Sequence, residues 1–335
     1  MQFPHLLAQT FTPRLQDPAQ AEQVPSPPIC PSAQNTTTAE ANETVTPATA
    51  VTNNTSSSLL IQPAPSTQVF PLTNLDPLEQ ILLHRYILGR CHPVQRLRHQ
   101  GYSVPEFIDT RACLESGKPH QSHNFSRGLM RRKAIVIDCN MVETIKSTTE
   151  LAFIVAIDFL TGEVLVNGYV APTVPVTDWL TPVSGIIQEK LDAAISEGKA
   201  FSSNHDARNA LKRFLDRDTM FNGHALHHDL RALSLIHGRN VDTALITSEA
   251  VFSHFSSKSK LPRIWRLKQL AHELLDIEIQ NHGEGHGSLE DASATREILI
   301  WCLRLPECIR AWAEETRRQN EKMQKQRKNA ANVAN

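Results

Sequence analysis

Four positions in this sequence carry side chains suited to hydrolytic chemistry if a fold brings them together: Asp138, Asp229, His286 and Asp291. Convergent carboxylates supply the oxygen ligands and negative charge that hard divalent cations require. An imidazole near neutral pH can take up a proton. Asp138 opens the stretch Asp138-Cys139-Asn140-Met141-Val142, directly after the apolar run Ala134-Ile-Val-Ile137, which reads as a buried strand. Side chains alternate faces along a strand, so Asp138 and Asn140 point one way and Cys139 the other. A site that needs two carboxylates on this strand has one carboxylate and one neutral amide.

Each of the other positions also has a local explanation. Asp229 lies in Gly223-His224-Ala-Leu-His227-His228-Asp229-Leu230, where a strand end turns into a helix, and an acid there complements the positive end of the helix dipole. Asp291 lies in Gly285-His286-Gly287-Ser288-Leu-Glu290-Asp291, a pattern that fits a capping box with Ser288 as N-cap and Asp291 at the third helical position. His286 and Asp291 are separated by about 140° around a helix, so convergence needs His286 on the preceding loop. Gly283, Gly285 and Gly287 make such a loop feasible. Among the remaining histidines, His224 is expected to support the strand-to-helix turn, with His227 and His228 flanking Asp229 in solvent.

The elements that must position these residues follow from periodicity. Residues 134–142, 151–159 and 163–170 read as a three-strand meander, with Leu160-Thr-Gly162 as the tight turn between the last two. Short connections make the strands antiparallel neighbours. Residues 174–185 are loop-like, and helices are expected over 186–195, 206–215, 267–275 and 288–303. Met220-Phe221 forms a short strand, and 241–246 a further extended piece. A meander followed by alternating strands and helices implies an α/β fold with a mixed sheet flanked by helices.

Composition sets the outer limits. Residues 1–75 are dominated by Pro, Thr, Ser, Asn, Gln and Ala, a composition too poor in apolar surface to order itself. Folding is expected to start near Leu78 and continue to about Trp312, enough for one sizeable core: a small helical and irregular lead-in over 76–130, with an amphipathic helix at 78–87, then a domain over 131–312 and a charged tail over 313–335. The net charge of −1 over 335 residues provides no global field to gather a polyanion, so contacts of that kind fall to local patches. The candidates are Arg131-Arg132-Lys133 and the basic tail from Arg317 to Lys328.

The six cysteines form no CxxC pair. Together with the lack of a signal segment at Met1 or an apolar run of membrane-spanning length, this favours a reducing, soluble setting, neither secreted nor membrane-bound. The Asn-X-Thr/Ser sequons at 35, 42, 53 and 54 then read as products of a Thr-rich tract. Cys91, Cys113, His120 and His123 are zinc-ligand types, but their spacing matches no compact finger.

Taken in order, these segments resemble the DEDDh exonuclease family, and more closely its fungal RNA exonuclease 4 and oligoribonuclease-like members. The resemblance runs from about Lys133 to Trp312. It includes Glu150-Leu-Ala-Phe153, Val176-Thr-Asp-Trp-Leu-Thr-Pro-Val-Ser-Gly185, Gly223-His224 with Asp229-Leu230, Asp242-Thr243, Leu267-Lys-Gln-Leu270, Ile279-Gln280, and His286 with Glu290-Asp-Ala292. It implies an RNase H-like mixed five-stranded sheet and 3′ to 5′ hydrolysis of nucleic acid, most often RNA, at its 3′ ends. It also implies two Mg²⁺ or Mn²⁺ ions, bridged by Asp138 and held further by Asp229 and Asp291. His286 takes the place of the general base, and Met141 and Cys139 the place of substrate contacts. Asn140 departs from the family, which has glutamate there, and the first metal loses charge and reach. Glu143, the nearest carboxylate, faces the other side of the strand. Two readings therefore stand: a weakened exonuclease, or a catalytically inactive binding or scaffold protein on the same fold. The family also implies a nuclear or nucleolar location, with the cytoplasm as the alternative.

Overall fold

The computed structural model describes residues 70–104, 120–121, 130–145, 148–281 and 287–333. Its strands are β1 (His120–Gln121), β2 (Ala134–Thr144), β3 (Thr149–Asp158), β4 (Val164–Tyr169), β5 (Val176–Asp178), β6 (Met220–Gly223), β7 (Leu235–Ile236) and β8 (Asn240–Asp242). The main sheet runs β4-β3-β2-β6-β8, with β5 paired to the far end of β2, while β1 and β7 form a separate parallel pair. The first three strands of the sheet are antiparallel neighbours, and β6 and β8 add in parallel. This is the mixed five-stranded sheet with its leading meander, plus one strand read from sequence as loop. The tight turn after β3 forms as expected: Gly162 takes φ 75°, and Asp158 Oδ1 accepts from the Leu160 and Thr161 N–H groups at 2.8 and 3.0 Å.

Alternation along β2 sorts its side chains between two layers. Ala134 and Val136 pack with Val155, Ile157 and the helix Ser288–Arg304. Ile135, Ile137 and Cys139 pack on the opposite face with Leu211, Leu226 and Leu230. The long helix is buried along most of its length, so the elements bearing Asp138 and Asp291 share one core.

Three boundaries differ from the sequence reading. Order begins before 76, since Leu75 lies in the main core together with Leu83 and Ile87 of the lead-in. Its helix Pro77–Leu88 starts with a capping box, Asp76 accepting from the Leu78 and Glu79 N–H groups while Glu79 accepts from the Asp76 N–H. The extended piece expected over 241–246 stops at Asp242, whose side chain caps the helix Thr243–Val251 at Ala244. The helix Pro306–Val333 runs straight through the boundary expected at 312, where Trp312 packs on Trp265 and donates to Glu273 at 2.8 Å.

Four arginines of the basic patches are committed to the protein itself. Arg131 pairs with Asp216 at 2.9 Å and Arg132 with Glu163 at 2.8 Å. In the tail, Arg317 donates to the Val251 and Ala250 carbonyls and Arg318 pairs with Glu315. Residues 1–69 of the head, Cys113, His123 and the His120 side chain lie outside the described residues. Among the described residues no helix is long and apolar enough to cross a membrane.

Candidate active site

The site lies where β6 ends and β2 continues. The parallel ladder joins Ala134 to Met220, Ile135 to Phe221 and Val136 to Asn222. β6 stops at Gly223, whereas β2 runs on to Thr144 and meets β5 only at Glu143 and Thr144. Between these pairings the β2 edge is open, a crevice at the carboxyl ends of two parallel strands, where α/β sheets place their ligands. Asp229, on the helix His227–Ala232, reaches into the opening and accepts the Cys139 N–H at 2.8 Å through Oδ1. Its carboxylate takes the place a strand carbonyl would occupy.

The turn before that helix is tightly specified. A Cβ at Gly223 would stand 2.8 Å from Leu226 Cδ1 and 3.0 Å from Leu226 Cβ, so only glycine fits without rearrangement. Ala225 sits at φ 54°, an uncommon backbone state for a residue with a Cβ. Asp242, fully buried, holds the turn by accepting from the Ala225 and Leu226 N–H groups at 3.0 and 3.1 Å. It also accepts the Tyr102 hydroxyl at 2.5 Å. His224 supports the same corner, as expected, through a 3.0 Å hydrogen bond between Nδ1 and Thr243 Oγ1. Sequence reasoning noted Asp242-Thr243 but gave it no role, and Tyr102 showed no pattern at all.

Asp138 and Asp291 complete the acidic set. Asp138 lies directly across from Val155 on β3, and its Oδ2 is buried without a hydrogen-bond partner. Burial first, then the Asp291 and Asp229 carboxylates, push the Asp138 carboxyl well above the usual range. Burial also raises Asp229, against the opposing effect of the Cys139 N–H bond. Asp291 is 4% exposed, and both its oxygens receive Gln280 Nε2 at 3.0 Å. Gln280 is held at φ 57°, with its own N–H on Glu290 Oε2 at 3.0 Å.

Several sequence expectations change here. The capping box at Ser288 is not formed: Gly287 is the N-cap and no side chain bonds there. Instead the Asp291 N–H donates to the Gly287 carbonyl at 2.9 Å. The buried Ser288 hydroxyl makes no hydrogen bond of acceptable geometry, but lies near enough to Asp138 to favour its charged form. Cys139 is 6% exposed and its side chain packs in the opposite core layer, so what it presents to the acids is the main-chain N–H on Asp229. Met141 is half-buried against that same layer. His227 is not in solvent: it packs against Tyr102 and His228, at 5.4 and 3.9 Å between ring centroids. Burial and the neighbouring His228 lower its pKa to about 4.

Asn140 shares the Asp138 face and pairs with Phe153. The ladder skips Ala152 after this pair, so the irregularity falls on β3 and the alternation of β2 continues. Glu143 therefore faces away from Asp138, as expected. His286 lies outside the described residues.

Chemically, this is an oxygen-only set of desolvated like charges with one open carboxylate oxygen, which fits a divalent cation. Among the described residues no three His, Cys, Asp or Glu side chains stand at closed ligand spacing. The Cys139 N–H and the Gln280 amide hold Asp229 and Asp291 oxygens, so the fit rests on charge and on Asp138 Oδ2.

Residues 135–299 match the family model described as Exonuclease, RNase_T. These residues form an exonuclease-family domain. An RNA exonuclease 4 of Gibberella zeae is 34% identical to the chain over 191 residues, 56% of this chain and 54% of that protein. An uncharacterized exonuclease of Schizosaccharomyces pombe is also 34% identical, over 185 residues, 55% of this chain and 27% of that protein. The chain thus spans about half or less of these relatives. The pseudoubiquitin-hydrolase-RNase module of Saccharomyces cerevisiae PAN2 aligns with a TM-score of 0.47 at 23% identity, covering 65% of this chain and 35% of that one. Exonucleases of this family use divalent metal ions, in keeping with the donor set of the domain described here.

Proposed function

We propose that this chain is a 3′ to 5′ exonuclease that hydrolyses RNA from its 3′ end with two Mg²⁺ or Mn²⁺ ions. The observation that carries the reading is that carboxylates from two further elements, Asp229 and Asp291, press on the buried Asp138, whose Oδ2 is left open. The name of the Gibberella zeae relative supports RNA as substrate. Asp138, Asp229 and Asp291 would hold the ions, which supply charge neutralisation at the attacking and leaving oxygens of an in-line displacement. Burial at the open β2 edge strengthens those interactions by excluding water. His286 is the residue assigned to remove the proton from the attacking water.

Asn140 favours a second reading, a nucleic-acid-binding protein that keeps the shape and loses turnover. A neutral amide replaces an anion at the family's glutamate position, and loss of a supporting partner alone typically weakens a metal site about 10–100-fold. The two readings separate on 5′-labelled single-stranded RNA, incubated in Mg²⁺ and separately in Mn²⁺. An exonuclease gives a ladder shortening from the 3′ end, absent with Asp138→Ala and at least about tenfold faster with Asn140→Glu. A ladder from Asn140→Glu alone would identify wild type as the binder.

A further inference from the structure

The family match begins at Ile135, yet the segment 70–104 touches the helix that carries Asp291 and the buried Asp242 that holds the corner before the Asp229 helix. At one end the Thr73 N–H donates to Glu297 Oε1 at 3.2 Å, and the Thr73 carbonyl accepts from Arg296 at 3.1 Å. Both partners lie on the helix that carries Asp291. Further along, the His92 N–H bonds the Asn240 carbonyl at 3.0 Å, and His92 Nε2 accepts the Asp242 N–H at 3.1 Å. Arg96 Nε pairs with Glu249 at 2.6 Å. The segment then delivers the Tyr102 hydroxyl to Asp242 Oδ2.

Asp242 divides four donors between its two oxygens. Oδ1 accepts from the Ala225 and Ala244 N–H groups, and Oδ2 from the Leu226 N–H and the Tyr102 hydroxyl. Of these four, only Tyr102 comes from outside the residues of the family match. Ala225 and Leu226 form the corner that launches the Asp229 helix, and the left-handed backbone of Ala225 persists only if its surroundings over-determine it. A buried carboxylate that loses a donor re-aims toward other donors. Here that shift pulls on the corner that sets Asp229.

We infer that Tyr102 is a positioning residue of the exonuclease site, acting through Asp242 on Asp229. Through Tyr102, the end of the segment nearest the family domain is thereby part of what holds the metal, whereas Thr73 meets the other helix at 296–297, more than a turn beyond Asp291, and holds no part of the site. The inference rests on the proposed function for its cleavage readout only. A purely structural Tyr102 would cost stability and leave metal affinity unchanged.

The test compares full-length wild type, Tyr102→Phe and Thr73→Val, the last cutting the hydroxyl contact with Glu297 at the other end of the segment. Mn²⁺ binding is read by electron paramagnetic resonance without RNA, amide exchange at Ala225 and Leu226 by mass spectrometry, and cleavage across a Mg²⁺ series. Tyr102→Phe should weaken Mn²⁺ binding at least about tenfold and speed exchange at both amides, with excess metal restoring cleavage. Thr73→Val should keep wild-type Mn²⁺ affinity. A second measurement needs no variant: Mg²⁺ added to wild type should slow exchange at Ala225 and Leu226, because coupling between two sites is reciprocal. Unchanged Mn²⁺ affinity in Tyr102→Phe, or no protection of wild type by Mg²⁺, overturns the inference. A wild type that binds Mn²⁺ but cleaves no RNA refutes the proposed activity alone, and the binding comparison still decides the role of Tyr102.

Discussion

Asp138 shows how a functional residue can work against the stability of its own fold. Its carboxyl is pushed up by burial and by two neighbouring carboxylates, so the folded protein holds that proton more tightly than the unfolded chain. The associated stability is complete below the ordinary carboxylate range and is lost as pH rises through the raised value. Metal-free protein should therefore melt at progressively lower temperature from pH 5 to pH 8. Asp138→Asn should flatten that slope and gain about 1–3 kcal/mol at neutral pH, the scale of relieving an unsatisfied buried polar group. Melting curves in chelator across that range check both points. A variant that melts below wild type at pH 8 would mean that burial and the two neighbouring acids do not destabilise the Asp138 carboxylate. The shared face of Asp138 and Asn140 was legible in the sequence because strand alternation has a period of two and needs no tertiary knowledge. The role of Cys139 was not, since a residue type advertises its side chain and this residue acts through its main-chain N–H. Ser288 misled for a related reason: Ser followed by an acid three residues on suits a cap, but here Gly287 takes the cap.

At the scale of the element, the corner between β6 and the His227–Ala232 helix decides where Asp229 lands. In Gly223→Ala the new methyl meets two atoms of Leu226. The Cδ1 at 2.8 Å can swing aside, but the Cβ at 3.0 Å moves only if the backbone of the corner moves. Overpacking of this kind costs about 1–3 kcal/mol, and the displaced corner carries Asp229 with it. Cleavage should fall further than the stability loss explains, which paired denaturation and rate measurements would resolve; equal losses would show that the corner yields without moving Asp229. The long strands and the 288–304 helix were legible because each holds its period over many residues. β5 was not, because Val176–Asp178 become a strand only by pairing with the far end of β2. The 241–246 stretch reads as extended from its apolar residues, but Asp242 caps Ala244 and turns the chain into a helix.

For the molecule as a whole, one core from about Leu78 to Trp312 was legible from length, but not how it would hold short helices that carry too few apolar residues to be stable alone. The structure resolves that shortage by packing them into the shared core. Ile87 is fully buried beside Leu75 and Leu83 in the cluster that includes Val136, Val155, Trp265 and Leu299. If this core is one cooperative unit, a cavity made in the lead-in must weaken the exonuclease-family domain by the same amount. Ile87→Ala should cost about 2–5 kcal/mol, seen as a lower denaturation midpoint with an unchanged slope when followed by tryptophan fluorescence, since Trp265 is buried in that cluster. A lead-in that merely rests on the surface would fray in this variant and leave the tryptophan transition where it was. A single shifted transition would mean that a boundary drawn at the family match cuts through the core, and that the segment before Ile135 folds together with the acids it helps to place.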